Sequence, residues 1–576
     1  MLNALCVSLH GAKPGGHARA VRSLERQGLL PAGSFEWQGG ALDAWASPHQ
    51  TAVEHVWLRT DAGFACCVGP LWYQGCFGRA ALELLLDAVG QSSEPNEFAL
   101  RGNFALFLCC GSRCVLMNDA PGFVRIYASA DRLFYSTSWL ATCTYAGPVE
   151  VDEDAAAEYV LLGASHSDAT VARGVTTLPL GQGFDLARKA TYTRIGSQDW
   201  AQTGVPRSFD EAVDEGEAWL RTTFSQIAAA FPGRVRMALS GGFDSRLILA
   251  GLLASNAEPA LFVYGGPATA DVQVARVVAE HAGLHLEVID KQQRCVGRAA
   301  PDMERLVHNA LFFDGLPNDG IHDSGVDEET RLEQTADGWL ALNGGGGEIF
   351  RNYFHLPRRA FRAVDIVRAF YRGFDAGIFR RAGALRAYES RMAASMDRVL
   401  GRATHNGGAR MTREQVELLY PLFRCHYWMA VNNSVAVRHG YNMTPLLDLD
   451  TVRFACRLQL AWKSAGRLES RLIDRLHPGI AEQPSEYGFR FADGPDRRAR
   501  FSEWVTCARP VFARPFISAA HRRLRRHAVA PDMLAHCRAM MPGEWRMDRM
   551  LDLHRLPGND AFGRALAVEV VWRHLL

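Results

Sequence analysis

Lysine is almost missing from this chain of 576 residues: among 63 basic residues it stands only at Lys13, Lys189, Lys291 and Lys463. The bias towards arginine reads first as codon usage. It leaves no GxxxxGK[ST] string, so a P-loop kinase or ATPase lacks its lysine. Charge of either sign is not in excess, since the formal net charge is +1. That removes any global electrostatic reason to expect nucleic acid or a membrane as partner. No window supplies the eighteen or so uncharged apolar residues of a membrane span, and MLNALCVSLHGAKPGG has no basic n-region before a long apolar stretch. A cytoplasmic protein is expected. The thirteen cysteines are odd in number, irregularly spaced and without a repeated CxxC, which argues against zinc ribbons and a disulfide framework and for buried free thiols.

What is present is a globular composition, 48% apolar and 22% charged, in a chain too long for one core. Residues 1–195 read as β-rich. GFACCVG, NFALFLCC, RCVLMND, RIYASA and LFYSTS are short, apolar or alternating, and bounded by turn residues. Helical patches interrupt them at AALELLLDAVG and EDAAAEYVLLG. A polar, Gly- and Pro-containing stretch over 196–209 predicts a linker. From 210 to 576 strands alternate with long helices, then helices dominate after about Tyr353. Repeated strand-helix-strand units predict an α/β architecture, a parallel sheet with its ligands at the carboxyl ends of the strands.

The most specific stretch is VRMALSGGFDSRLILAGLL, where an apolar strand breaks into SGGFDS and restarts as a helix. Gly-Gly between a strand and a helix is also ordinary turn chemistry, and an Asp or Ser there is often only a cap. Six residues matching in order, in a strand-loop-helix context, favour a phosphate grip. Leu239, Ser240, Gly241, Gly242 and Ser245 would bring backbone N–H groups, hydroxyls and the helix dipole to one point. Asp244 would repel a bare phosphate, which makes sense if it holds Mg2+.

SGGFDS resembles the pyrophosphate loop of the ATP pyrophosphatases. Behind it, DVQVARVVAEHAG from Asp271, LNGGGGEIF from Leu342 and TPLLD from Thr444 resemble, in order, segments of the asparagine synthetases. In the first half, LRGNFALFL from Leu100, NDAPGFVRIYAS from Asn118 and TTLPLGQGFDL from Thr176 resemble that family's glutamine-hydrolysing domain. The resemblance implies an N-terminal Ntn-type glutaminase-like α+β domain and an ATP-pyrophosphatase synthetase domain with a helical C-terminal part. It implies ATP and Mg2+ as cofactors, Asp244 and Glu348 as metal and catalytic carboxylates, and Gly344, Gly345, Gly346 and Tyr264 beside the nucleotide.

The departures narrow the reading. The family's glutaminase needs a cysteine exposed by methionine removal, so that the thiol sits beside its own amine; here Leu2 stands there, and Cys6 reads as a small apolar strand residue. The family's late lysine before a glycine is absent, Glu486 lying in SEYGFRF and Arg490 being the nearest cation, which makes Arg490 a catalytic candidate. A lost N-terminal cysteine with a retained ATP loop is the pattern of relatives that close rings. WKSAG, PSEYGFRF and GGGGEIFRNYF resemble the lasso-peptide macrolactam synthetase branch; the tyrosine that β-lactam synthetases carry at the position of Gly345 is missing. The expectation is an ATP-dependent ligase that adenylates an Asp or Glu side chain of a ribosomal precursor peptide for attack by the peptide's own N-terminal amine. A leader-peptide protease and a leader-binding protein would be its partners. The alternatives are an ammonia-dependent asparagine synthetase and a non-catalytic nucleotide-binding scaffold. The arginine-rich stretch from Arg497 to Arg526 reads as a solvated helical face, and RCHYWMAVNNS from Arg424 as satisfied core, with peptide-site lining the alternative.

Overall fold

The computed structural model describes residues 1–50, 56–61, 63–90, 95–200, 204–402, 410–514 and 529–576. Part of the expected linker (201–203) and much of the arginine-rich stretch (515–528) lie outside them. In the first half two six-stranded antiparallel sheets pack face to face. One orders the strands Val175–Thr177, Tyr127–Ser129, Phe134–Ser136, Ala4–Leu9, Gly40–Ala46 and Leu30–Trp37; the other orders Ala190–Thr193, Gln182–Asp185, Arg113–Asn118, Ala105–Cys110, Gly63–Val68 and Trp57–Thr60.

The period-2 patterning explains the layers. Leu5, Val7 and Leu9 join Phe64, Cys66, Val68 and Phe107 in the core between the sheets. The alternate residues face outward: Ala4 and Cys6 onto the helices Gly16–Arg26 and Trp139–Ala146, and Ala65 and Cys67 onto the helix Arg79–Gly90. Both faces of each sheet are therefore covered, giving a helix-sheet-sheet-helix sandwich. TTLPLGQGFDL forms two strands, which enter different sheets. Leu2, wholly buried, forms an isolated bridge with Val68.

Free thiols were expected throughout, and one pair departs from that. Cys109 and Cys114 face each other across the hairpin and are disulfide-bonded, with Cα atoms 4.1 Å apart. Directly opposed antiparallel residues in a non-hydrogen-bonded pair approach to about 4.5 Å, which is what brings two sulfurs together here. Eleven cysteines are free.

The second half carries the parallel sheet, in the order Leu286–Ile289, Ala260–Tyr264, Val235–Ala238, Leu340–Leu342, Tyr441–Met443. Val235–Ala238 is central, and the strand order reverses on either side of it, which opens a crevice at the carboxyl edge. The first crossover helix, Phe243–Ala254, is apolar nearly all round because it is buried on nearly all sides. Gly251 is a packing requirement, since a Cβ there would lie 2.1 Å from the Phe224 ring.

The two halves are stitched together. Asp314 accepts from Ser138 Oγ (2.6 Å), Trp139 N (2.7 Å) and Leu140 N (3.2 Å), and so caps a helix of the first half from the second. The Arg125 guanidinium donates to the carbonyls of His426 and Tyr427. RCHYWMAVNNS thus serves as core, within and beyond the π-helical stretch Tyr420–Met429. The last helix, Asn559–His574, packs back on the helix Glu153–Leu162, with Trp572 Nε1 donating to Val149 O. Among the described residues no helix is long and apolar enough to cross a membrane.

Candidate active site

SGGFDS lies at the carboxyl end of the central strand. Leu239 N donates to Phe262 O at 2.8 Å, continuing the ladder with the neighbouring strand before the chain turns. Ser240 N and Oγ lie 3.0 and 2.9 Å from Ser245 Oγ, closing the loop on itself. Gly242 is the N-cap of the helix and contributes no side chain, so the first-turn N–H groups face the loop without a side-chain cap. Such a terminus is an anion seat. Gly241 N donates to Asp271 Oδ1 at 2.5 Å.

Three carboxylates and one guanidinium meet beside this loop. Arg351 Nη2 is 2.6 Å from Asp244 Oδ1 and 4.0 Å from Glu348 Oε2, and Arg351 Nε is 3.3 Å from Glu469 Oε2. Glu469 is fully buried, and neither of its oxygens accepts a well-formed hydrogen bond. Glu348 leans aside, accepting from Gly346 N (3.1 Å) and from the Tyr420 hydroxyl. Burial pushes the Asp244 carboxyl up to about 7, against the pull of Arg351 and with Glu348 adding to the rise. Burial and the Asp244 charge push Glu469 well above the carboxylate range.

One arginine cannot neutralise three carboxylates, and Glu469, whose only cation among the described residues is the shared Arg351, lies next to Asp244. An all-oxygen cluster with excess negative charge fits a hard divalent cation such as Mg2+. Asp244, Glu469 and Glu348 are the residues that would hold it. Glu469 was missed by the sequence reading: it stands in the amphipathic helix Arg467–Leu476, just behind WKSAG but outside that string. Gly347 explains its role: a Cβ there would lie 2.6 Å from Asp244 Oδ1 and 2.9 Å from Glu469 Oε1. The carboxylate of Glu469 fills the space that a side chain at 347 would take.

The glycine run is thus tight for packing reasons as well. Gly346 has φ +104, and a Cβ there would meet Leu447 at 2.4 Å; only Gly344, 3.8 Å from Ser245, has ordinary clearance. Gly345 N donates to Asn343 Oδ1 at 2.9 Å. Tyr264 is at the carboxyl end of the adjacent strand, exposed, with Lys291 Nζ 4.6 Å over its ring and Gln334 bonded to its hydroxyl.

Arg490 departs from its expected role. It is exposed and paired with Asp493 at 2.8 Å, three residues on, a pairing that local turn geometry favours. The cation at the carboxylate cluster is Arg351 instead. The segment leading to Arg490 is clamped over the loop: the buried Arg246 donates to Gln483 O and Pro484 O, Glu486 N donates to Gly241 O (3.3 Å), the Phe491 ring stacks on Phe243 at 4.4 Å, and the Tyr487 ring lies tilted against Phe243 at 4.6 Å. A polar residue directly after SGGFDS in an otherwise apolar helix was the available signal for Arg246. Beside the cluster opens a cavity of about 740 Å³, lined by Phe243, Glu348, Arg351, Lys463 and Tyr487 among others. Burial lowers the Lys463 ammonium's pKa, with Glu417 opposing.

The raised carboxyls predict a pH dependence. Their folded pKa values exceed the unfolded ones, so the stability they contribute is complete below about pH 4 and is lost as pH rises through about 7 for Asp244 and higher for Glu469. The metal-free protein should therefore melt at lower temperature as pH rises through neutrality, and Mg2+ should restore the loss. Glu469→Gln should flatten that pH profile and shrink the Mg2+ effect; thermal unfolding at several pH values, with and without Mg2+, measures both.

No family model matches the sequence, and no curated protein matches it. Among solved structures, glutamine phosphoribosylpyrophosphate (PRPP) amidotransferase from B. subtilis, complexed with ADP and GMP, is similar over 52% of this chain and 93% of that one, at 11% identity and a TM-score of 0.21.

Proposed function

We propose that this chain is an ATP-dependent carbon–nitrogen ligase that closes a macrolactam in a peptide, activating an Asp or Glu side chain as its adenylate and releasing pyrophosphate. The observation that carries the reading is the meeting of the SGGFDS helix terminus with the Asp244, Glu348 and Glu469 carboxylates, on the rim of a cavity large enough for a peptide segment. A carboxylate does not condense with an amine in neutral water, because its oxygen is too poor a leaving group. Attack on the α phosphate of ATP makes the oxygen part of an AMP leaving group, and the peptide's N-terminal amine then forms the amide.

In this reading the loop N–H groups and the Ser240 and Ser245 hydroxyls hold the departing pyrophosphate. Asp244, Glu469 and Glu348 hold Mg2+, which when bound neutralises charge on the phosphates. Arg351 holds the carboxylates together and shields them from each other. The clamped Gln483–Phe491 segment covers the helix terminus and keeps water from the anhydride. An α-amine with pKa about 7.7 to 8.0 is already about a tenth neutral at pH 7, so no strong base is demanded. Orientation is the larger contribution, since positioned intramolecular reactions reach effective molarities of about 10⁵ to 10⁸ M.

The test is pyrophosphate release with Mg2+-ATP and a candidate precursor peptide, followed by mass spectrometry. Loss of one water from the peptide, with release dependent on that peptide, is expected. Release with free aspartate and ammonium in its place would establish an asparagine synthetase and overturn the proposal.

A further inference from the structure

A second cluster of ligand-type side chains stands on the wall of the same cavity. Glu503 and Cys507 lie one turn apart on the helix Arg497–Ala508, and the segment after the glycine run brings His355 against them. One ligand atom from each residue lies within 4.8 Å of the other two. The His355 Nδ1 to Glu503 Oε1 distance is 3.5 Å. Nδ1 is shielded from solvent and makes no well-formed hydrogen bond. A direct charge-assisted hydrogen bond would close to about 2.8 Å. Two ligands about 2.0 to 2.3 Å from one tetrahedral ion stand roughly 3.5 Å apart.

The surroundings orient these groups. Glu503 Oε2 accepts from Ser464 Oγ (2.6 Å) and from Ala465 N, leaving Oε1 towards His355. Asn352 Nδ2 reaches both Glu503 Oε1 (2.9 Å) and Cys507 Sγ (3.4 Å), while its own carbonyl accepts from Arg413 (2.6 Å). Partners of this kind fix ligand direction in metal sites. His355 is held at φ +44, a conformation costly for a residue with a Cβ. The Arg514 guanidinium fastens its carbonyl.

We propose that His355, Glu503 and Cys507 form a binding site for a borderline-soft divalent cation, zinc in class, separate from the Mg2+-type carboxylate cluster. One imidazole, one carboxylate and one thiolate match zinc and exclude Mg2+, which takes oxygen alone. Binding displaces the Cys507 thiol proton and leaves the imidazole neutral, so protons are released as the ion enters. His355 and Glu503 both line the cavity, so the fourth coordination position opens into it. The ion ties the helix Arg497–Ala508 to the segment that carries Arg351.

The test uses the full chain, stripped with a chelator and titrated with Co2+ in the presence of excess Mg2+. One equivalent should produce tetrahedral d–d bands and a thiolate-to-cobalt charge-transfer band, both displaced by Zn2+. Cys507→Ser should lose the charge-transfer band, and His355→Ala should weaken Co2+ binding by at least about 10-fold. Absence of the band in the unmodified, folded chain overturns the proposal whatever the variants do. Survival of the band in Cys507→Ser overturns it too, by placing the thiolate elsewhere.

Discussion

Asp244→Asn is expected to abolish peptide-dependent pyrophosphate release, by about 10³-fold or more, without lowering the melting temperature. The asparagine keeps the shape and can still accept from Arg351 Nη2, now 2.6 Å from Asp244 Oδ1. What it removes is the charge that holds a cation against the phosphates. In the metal-free protein it also relieves the crowding of Asp244 against Glu348 and Glu469, which is why stability should hold or rise. Release assays run beside thermal unfolding separate the two effects. A variant that released pyrophosphate at the unmodified rate would remove Asp244 from the machinery and the ligase reading with it.

The largest effect on stability is expected far from that cluster, at Asp314→Ala. Its carboxylate satisfies Ser138 Oγ, Trp139 N and Leu140 N where the two halves meet, and it is only 8% exposed. Truncation leaves those buried donors without their acceptor and deprives Arg438, 3.9 Å away, of its counter-charge. Breaking a buried charged network of this kind costs about 3 to 5 kcal/mol. Urea unfolding followed by tryptophan fluorescence should show the midpoint fall, because Trp139 begins the capped helix. Asp314→Asn, which keeps the oxygen facing Ser138 and Leu140 but loses the charge and the acceptor for Trp139 N, should fall by less. Equal loss in both variants would mean that the one retained amide oxygen recovers nothing of the cap.

The parts of the fold that were legible in the chain are those written in short-range patterns. ALCVSL and GFACCV read as short apolar strands and form strands, and being apolar on both faces they meet the inter-sheet core on one side and covering helices on the other. The strand-loop-helix at SGGFDS falls on the central parallel strand, where a crevice is expected. Arg490 shows the limit: chosen as the nearest cation in sequence, it is held by Asp493 three residues on, while Arg351 reaches the carboxylates from another loop. The Cys109 and Cys114 pair shows it again, since opposition across a hairpin depends on register rather than on spacing.

The sequence by itself determined the β-rich first half, the parallel sheet of the second and the strand-loop-helix turn at SGGFDS, because periodicity and turn chemistry act over a few residues. Only the tertiary structure decided which side chains meet there. Glu469 and Arg351 reach Asp244 from the helix Arg467–Leu476 and from the end of the glycine run. His355 meets Glu503 and Cys507 from a segment some 150 residues away in the chain. Such convergence is set by how helices pack over the sheet, and the space at Gly347 that Glu469 fills exists only once they have packed.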